Sequence, residues 1–345
     1  VIALGTILAA ATGIVGASVV MLTVLALPTM IDRGYSPELA GGTIVSAGTL
    51  GILIPPSVML VFMGDILTIN LARLFVAALV PGLLLAALYM VYIVAVSAAK
   101  PRLAPPAPAM TEDEKRGLLR EALVSFGFPL ALIIIVLGSI LGGYATPTEA
   151  AGVGALGALV LGLLRRRINR SLLGDAMDGS VRTLAMLFFI FIAATGFAYV
   201  FRAIGGEHLI VETALSLNMG DWGILAVLML MIFALGFFFD WIEITLIMLP
   251  IIAPIVGLMD LGDHLAKSDM IYWFAVLMAV NLQTSFLTPP FGFALFYLKG
   301  AAGDRISMKQ IYRGVVPFVL LQLFILGLLI WQPDLVLWLP NSVFR

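Results

Sequence analysis

Asp240 and Glu243, separated by Trp241 and Ile242, are two carboxylates three positions apart in an apolar run from Trp222 to Met259. An ionised group in such surroundings costs at least about 2.5 kcal/mol unless it is paired or ion-bound, so the pair is expected to serve as cation ligands or as the acid and base of an intramembrane enzyme. A plainer role also fits, with Asp240 capping a helix and Glu243 complementing its dipole. Two further segments place hydroxyls beside a double proline. Thr49 precedes Pro55-Pro56 and Ser57 follows it, while Thr284, Ser285 and Thr288 precede Pro289-Pro290. A proline pair removes backbone donors and splits a helix: the first half ends in free carbonyls suited to a cation such as sodium, and the second begins in free amides suited to an anion. The run Thr12-Gly13-Ile14-Val15-Gly16-Ala17-Ser18 interrupts a third apolar stretch, where small polar residues also serve as simple caps. Asp65 reads equally as a site residue and as a solvated helix end.

The elements that must position these residues follow from composition. Of 345 residues, 62% are hydrophobic and 11% charged, against about 25% charged in a soluble domain. Apolar segments of about 20 residues recur, the length that spans a bilayer, so an all-α polytopic membrane protein embedded in lipid is expected. A formal net charge of −1 gives no basis for binding nucleic acid, and the absence of cysteine excludes disulfides and thiolate metal sites. Residue 1 is Val inside an apolar run, with neither a start Met nor a charged leader, so the chain is expected to be truncated at its front.

Along the chain, residues 1–30 read as a re-entrant hairpin whose arms are each too short to cross, 39–69 as a helix broken at Pro55-Pro56, and 74–98 as a plain span, together a first repeat over 1–98. Residues 99–182 read as a linker, two spans and two cytoplasmic surface helices, with capping boxes at Thr111-Glu112-Asp113-Glu114 and Thr146-Pro147-Thr148-Glu149. A second repeat over 183–345 holds a span at 183–201, a hairpin at 222–259 interrupted at Phe239 to Thr245, a helix over 270–298 broken at Pro289-Pro290, and a span at 311–331. Five crossings separate the hairpins, an odd number, so the repeats are expected to be inverted. This count places fifteen cations on one face and only Arg73, Arg202, Lys267 and Arg345 on the other, which makes the first face cytoplasmic and the C-terminus external.

Other patterns carry less. Gly152-Val153-Gly154-Ala155-Leu156-Gly157 matches a dinucleotide fingerprint but lies in an apolar span with no strand before it, which favours close helix packing. No phosphate-binding loop is present, so hydrolysis of ATP by the chain is not expected.

The segments Ala11 to Ser18, Gly48 to Ser57, Thr146 to Ala151, Asp240 to Glu243 and Asn281 to Phe293 together resemble the large membrane subunit of tripartite ATP-independent periplasmic (TRAP) transporters of the DctM type, notably the mannitol and chloroaromatic branch. That family has further spans before the first hairpin. The resemblance implies an elevator-type fold and sodium-coupled uptake of a small organic acid across the bacterial inner membrane. It implies a small four-helix membrane subunit and a periplasmic binding protein as partners, and no cofactor beyond the coupling ion. It also implies sodium sites that pair each hairpin tip with a broken helix: Gly13, Gly16 and Ser18 with Thr49 and Gly51, and Asp240 and Glu243 with Thr284, Ser285 and Thr288. Pro56, Ser57, Thr245 and Pro290 are then candidates for holding the substrate.

Overall fold

The computed structural model describes residues 1–106, 112–166, 168–216, 219–289 and 292–344, and among them every regular element is helical. Among the described residues, seven helical stretches are long and apolar enough to cross a membrane. Thr111, which opens the first expected capping box, lies outside the described residues, as does Pro290.

Helices α1 (Ile2–Thr12) and α2 (Val15–Asp32) form the first hairpin, turned at Gly13, whose φ of +62° is a left-handed conformation that glycine adopts without strain. The interruption is shorter than the sequence suggests. Gly16, Ala17 and Ser18 are already helical, and the Ser18 hydroxyl donates to the Ile14 carbonyl at 3.0 Å. As a result α2 has 18 residues, enough to cross, where an arm too short to span was expected. Helix α3 (Pro37–Thr49) starts on Ser36, whose side chain accepts from the Leu39 amide, and tightens into a 3-10 turn at Leu50–Ile52 before the proline pair. Helix α4 (Val58–Ile66) resumes beyond it, and α5 (Leu71–Ala99) is a plain span.

Helix α6 (Glu112–Leu141) is followed by α7 (Pro147–Leu164) behind a complete capping box. There the Thr146 hydroxyl accepts from the Glu149 amide at 3.3 Å and the Glu149 carboxylate accepts from the Thr146 amide at 2.7 Å. Helix α8 (Arg170–Ala203) runs unbroken for 34 residues, so residues 170–182 are its first turns and not a separate surface helix. The segment from Glu112 likewise continues into the apolar part of α6, whose 126–141 stretch is shorter than those long enough to cross. Once a helix is nucleated each further residue adds a hydrogen bond, and no proline lies between Arg170 and the apolar span to stop it.

After α9 (Gly206–Ser216), the second hairpin comprises α10 (Gly220–Leu235), a turn over 236–240, and α11 (Trp241–Glu243), which passes through a π-helical stretch at Ile244–Met248 into α12 (Leu249–Leu258). The break therefore precedes Trp241, upstream of its expected place, because Asp240 starts the second arm. The second broken helix is α13 (Met270–Leu287) and α14 (Phe293–Ala302), followed by α15 (Met308–Trp331) and a short α16 (Asp334–Val343).

Helix α13 lies at the centre, buried at every position except Ile271, whereas α7 and α8 present most of their apolar residues outward, as surfaces meant for lipid or protein do. The two halves of the chain interlock: α3 packs on α15, α13 on α5, α14 on α2, and α4 on the π-helical stretch and α12. Where α3 crosses α15 the backbones touch, since a Cβ at Gly42 would strike the Gly314 carbonyl and one at Gly314 the Glu38 carbonyl. At one end of the bundle Arg73 Nη2 donates to Asp269 Oδ1 at 2.7 Å and to Asn341 Oδ1 at 2.7 Å, joining α5, the start of α13 and α16. At the other end the Ser36 amide donates to the Leu103 carbonyl at 2.8 Å, tying the loop after the first hairpin to the segment after α5.

Candidate functional site

Each hairpin turn sits on the broken helix that follows it in sequence. At the first, a Cβ on Gly13 would lie 3.1 Å from Val58 Cγ2 and 3.5 Å from the Pro56 carbonyl, and one on Gly51 would lie 2.6 Å from the Ala9 carbonyl. The Thr12 and Ser18 hydroxyls meet at 2.5 Å across the turn. On the broken helix the Thr49 hydroxyl donates to the Ser46 carbonyl at 3.0 Å and that of Ser57 to the Ile52 carbonyl at 2.5 Å. Gly13, Ser18, Thr49, Gly51, Pro56 and Ser57 thus belong to one neighbourhood. Gly16 faces elsewhere, toward the ring of Tyr297 on α14, 3.0 Å from where its Cβ would stand.

At the second turn a Cβ on Gly236 would collide with the Ser285 side chain, so this glycine lets the turn lie directly on α13. The Asp240 carboxylate accepts from the Trp241 amide at 2.8 Å and caps the second arm. Glu243 Oε2 and the Thr245 hydroxyl are buried with no hydrogen-bond partner. The hydroxyls of Thr284, Ser285 and Thr288 each donate at 2.8 Å to a carbonyl of their own helix. Their protons are committed there, which leaves oxygen lone pairs as the groups they can offer a ligand.

The second hairpin also reaches the first broken helix. Trp241 at the start of α11 meets Phe62 on α4 with ring centroids 6.1 Å apart. The second halves of both broken helices begin without a side-chain cap: Ser57 turns its hydroxyl back to Ile52, and Gly292 has no side chain. Their first amides therefore have no capping side chain to satisfy them.

A buried polar cluster escaped the sequence reading. Gln283 of α13 donates to the Thr49 hydroxyl at 3.4 Å, and Tyr89 of α5 lies within electrostatic reach of Gln283 and of Gln322 on α15, short of hydrogen-bond geometry to either. Amides and a phenol at 0% exposure in apolar spans were visible as polar residues out of place, but their apolar neighbours hid the fact that they face one another. Tyr297 carried no such signal.

Asp65 stands apart from both turns. It is exposed and lines a cavity of about 350 Å³ between α4 and α8, together with Thr195, Tyr199 and Arg202. In α7, a Cβ on Gly157 would strike Leu132 of α6, so the glycine pattern there marks close helix packing. His264 bonds the Ile330 carbonyl at 2.9 Å.

A family model described as the DctM component of the tripartite ATP-independent periplasmic transporter matches residues 1–335. The chain is 32% identical over 334 residues to the C4-dicarboxylate TRAP transporter large permease protein of Pseudomonas aeruginosa, covering 96% of this chain and 74% of that one. It is 30% identical to the ectoine/5-hydroxyectoine TRAP transporter large permease protein of Ruegeria pomeroyi, covering 98% of this chain and 76% of the relative. The sialic acid TRAP transporter large permease protein of Vibrio cholerae is 28% identical, over 92% of this chain and 71% of the relative. These relatives are named as permeases and not as enzymes, so the reading of Asp240 and Glu243 as a catalytic acid and base falls.

Proposed function

The chain belongs to the DctM family of tripartite ATP-independent periplasmic transporters, and from that premise we propose that it imports a small organic acid in symport with sodium by an elevator motion. The observation that carries this reading is that each hairpin turn rests on the proline-broken helix that follows it, Gly13 against Val58 and Gly236 against Ser285, while Trp241 of the second hairpin meets Phe62 of the first broken helix. Sodium is held at each turn by backbone carbonyls and by hydroxyl oxygens: Gly13, Ser18, Thr49 and Gly51 at the first, and Asp240, Glu243, Thr284, Ser285 and Thr288 at the second. A carboxylate substrate accepts from the uncapped amides of α4 and α14, beside Pro56, Ser57, Thr245 and Pro290. Occupied sodium sites place positive charge next to that anion, which is the physical basis of the coupling.

The interlocked halves support an inverted repeat, because α1–α2 relates to α3–α4 as α10–α12 relates to α13–α14. The clustering of Arg73, Asp269 and Asn341 at one end is what the crossing count requires of the outer face. In the elevator, the hairpins, broken helices, α5 and α15 move as one block against α8, while a small membrane subunit holds the remainder. A periplasmic binding protein delivers substrate. Its docking ground is the open end of the second hairpin, where Asp221 accepts from the Asp260 amide at 2.7 Å and Asp263 lies nearby in sequence. The matched relatives are named for different substrates, so the class proposed is organic acids and no single compound.

Uptake by proteoliposomes carrying both membrane subunits, screened across organic acids with and without the binding protein, tests the reading. Uptake that needs sodium and the binding protein is expected. Equal uptake with potassium in place of sodium would refute it.

A further inference from the structure

Thr49 and Gln283 each stand six residues ahead of the first proline of their pair. They are therefore equivalent positions in the two broken helices, and they touch: Gln283 Nε2 donates to Thr49 Oγ1 at 3.4 Å, across 234 positions of sequence. Two equivalent groups of an inverted repeat can meet only at the axis that relates the halves, so this contact marks the axis. Both side chains are fully buried.

The neighbours of this contact give it a use. Thr49 is two residues from Gly51, which lies under the first hairpin, and Gln283 is two residues from Ser285, which lies under the second turn at Gly236. The Thr49 hydroxyl donates its proton to the Ser46 carbonyl, so its acceptor side is what Gln283 engages. On its far side Gln283 faces Tyr89, which in turn faces Gln322, and Gln283 Oε1, the Tyr89 hydroxyl and both polar atoms of Gln322 have no well-formed hydrogen bond. An incompletely bonded buried network has more than one arrangement available to it, and a shift of α3 or α13 at one break redistributes the bonds felt at the other.

We propose that Gln283 is a positioning residue that couples the two hairpin sites through Thr49, so that a cation bound at one turn raises the affinity of the other. This rests on the sodium reading above, and it predicts that the two turns respond to sodium together even before substrate arrives. Neither residue belongs to the other's turn. The coupling is thus a property of the axis contact and not of either site alone.

The chain has no cysteine, which allows each turn to be reported separately. Ile14→Cys reports the first turn and Phe239→Cys the second, at positions 38% and 48% exposed. Each is made in the complete membrane complex in proteoliposomes, and its rate of modification by a maleimide is followed while sodium replaces potassium. With Gln283 intact, both rates are expected to change at the same half-effective sodium concentration, within about twofold. In Gln283→Met, which keeps the volume and removes the amide, both turns still respond but their half-effective concentrations part by about fivefold or more, the low end of ordinary coupling strengths. A role in packing alone would change overall stability and leave the two concentrations together. Tyr89→Phe removes only the hydroxyl facing Gln283, and gives a smaller separation should Gln283→Met fail to assemble. Coincident concentrations in both variants, or separate ones with Gln283 intact, overturn the coupling while leaving sodium binding standing. If neither turn responds to sodium at all, the sodium reading itself fails and the coupling with it.

Discussion

Gln283 and Thr49 hold the two broken helices together at matching positions, one side chain bonded to the other at 3.4 Å. Each residue stands six positions ahead of the first proline of its pair, so the contact joins points equally far in sequence from the two breaks on which the hairpin turns rest.

The proposed inverted repeat puts the open ends of the hairpins on opposite faces. Single cysteines placed near Arg33 and near Lys267 are expected to react with a membrane-impermeant maleimide from opposite sides in oriented vesicles. Reaction from one side only would end the inverted-repeat reading.

Gly236 is where the second turn meets α13. In Gly236→Ala the new methyl meets Ser285 Cβ at 2.6 Å as well as its hydroxyl, so rotating the hydroxyl gives no relief. Overpacking of this kind costs about 1–3 kcal/mol. We expect a lower midpoint of thermal unfolding in detergent, with recovery of most of the loss on adding Ser285→Gly. No recovery in the double variant would show that the contact is not the cause.

Asp240 has two roles that one substitution separates. Asparagine caps a helix about as well as aspartate, so Asp240→Asn should keep the start of α11 and change stability by less than about 0.5 kcal/mol. Loss of the charge is expected to raise the sodium concentration for half-maximal uptake by roughly tenfold, equivalent to about 1.4 kcal/mol. An unchanged sodium requirement would leave Asp240 as a cap and nothing more.

The Arg73–Asp269 pair, with side chains 23% and 11% exposed, is sheltered and shares its partners with Asn341, while Arg73 also stacks on Tyr272 at 4.6 Å. Removing one member leaves the other short of a partner, at a cost of about 1–3 kcal/mol. Arg73→Met and Asp269→Asn should each lower the unfolding midpoint, and the double variant should lose less than the sum. Strict additivity would mean that the pair contributes no coupling.

The sequence alone determined the membrane class, both broken helices, the plain spans and the capping box at Thr146 and Glu149, because each depends on local chemistry: apolar length, proline's missing amide, a hydroxyl three residues before a carboxylate. It misjudged the extent of the first hairpin's second arm, since Gly16, Ala17 and Ser18 read as a break until the packing of α2 on α3 and α14 supplied a reason to stay helical. It also split off surface helices over residues that the structure carries as the opening turns of α6 and α8. Tertiary structure alone decided what faces what. Tyr297 is set over Gly16, Gln283 against Thr49, Tyr89 beside Gln322, and Arg73 against Asp269 by contacts between residues far apart in the chain. A polar side chain in an apolar helix announces that it needs a partner, but which partner it finds depends on how helices cross, and no local pattern of residues encodes that crossing.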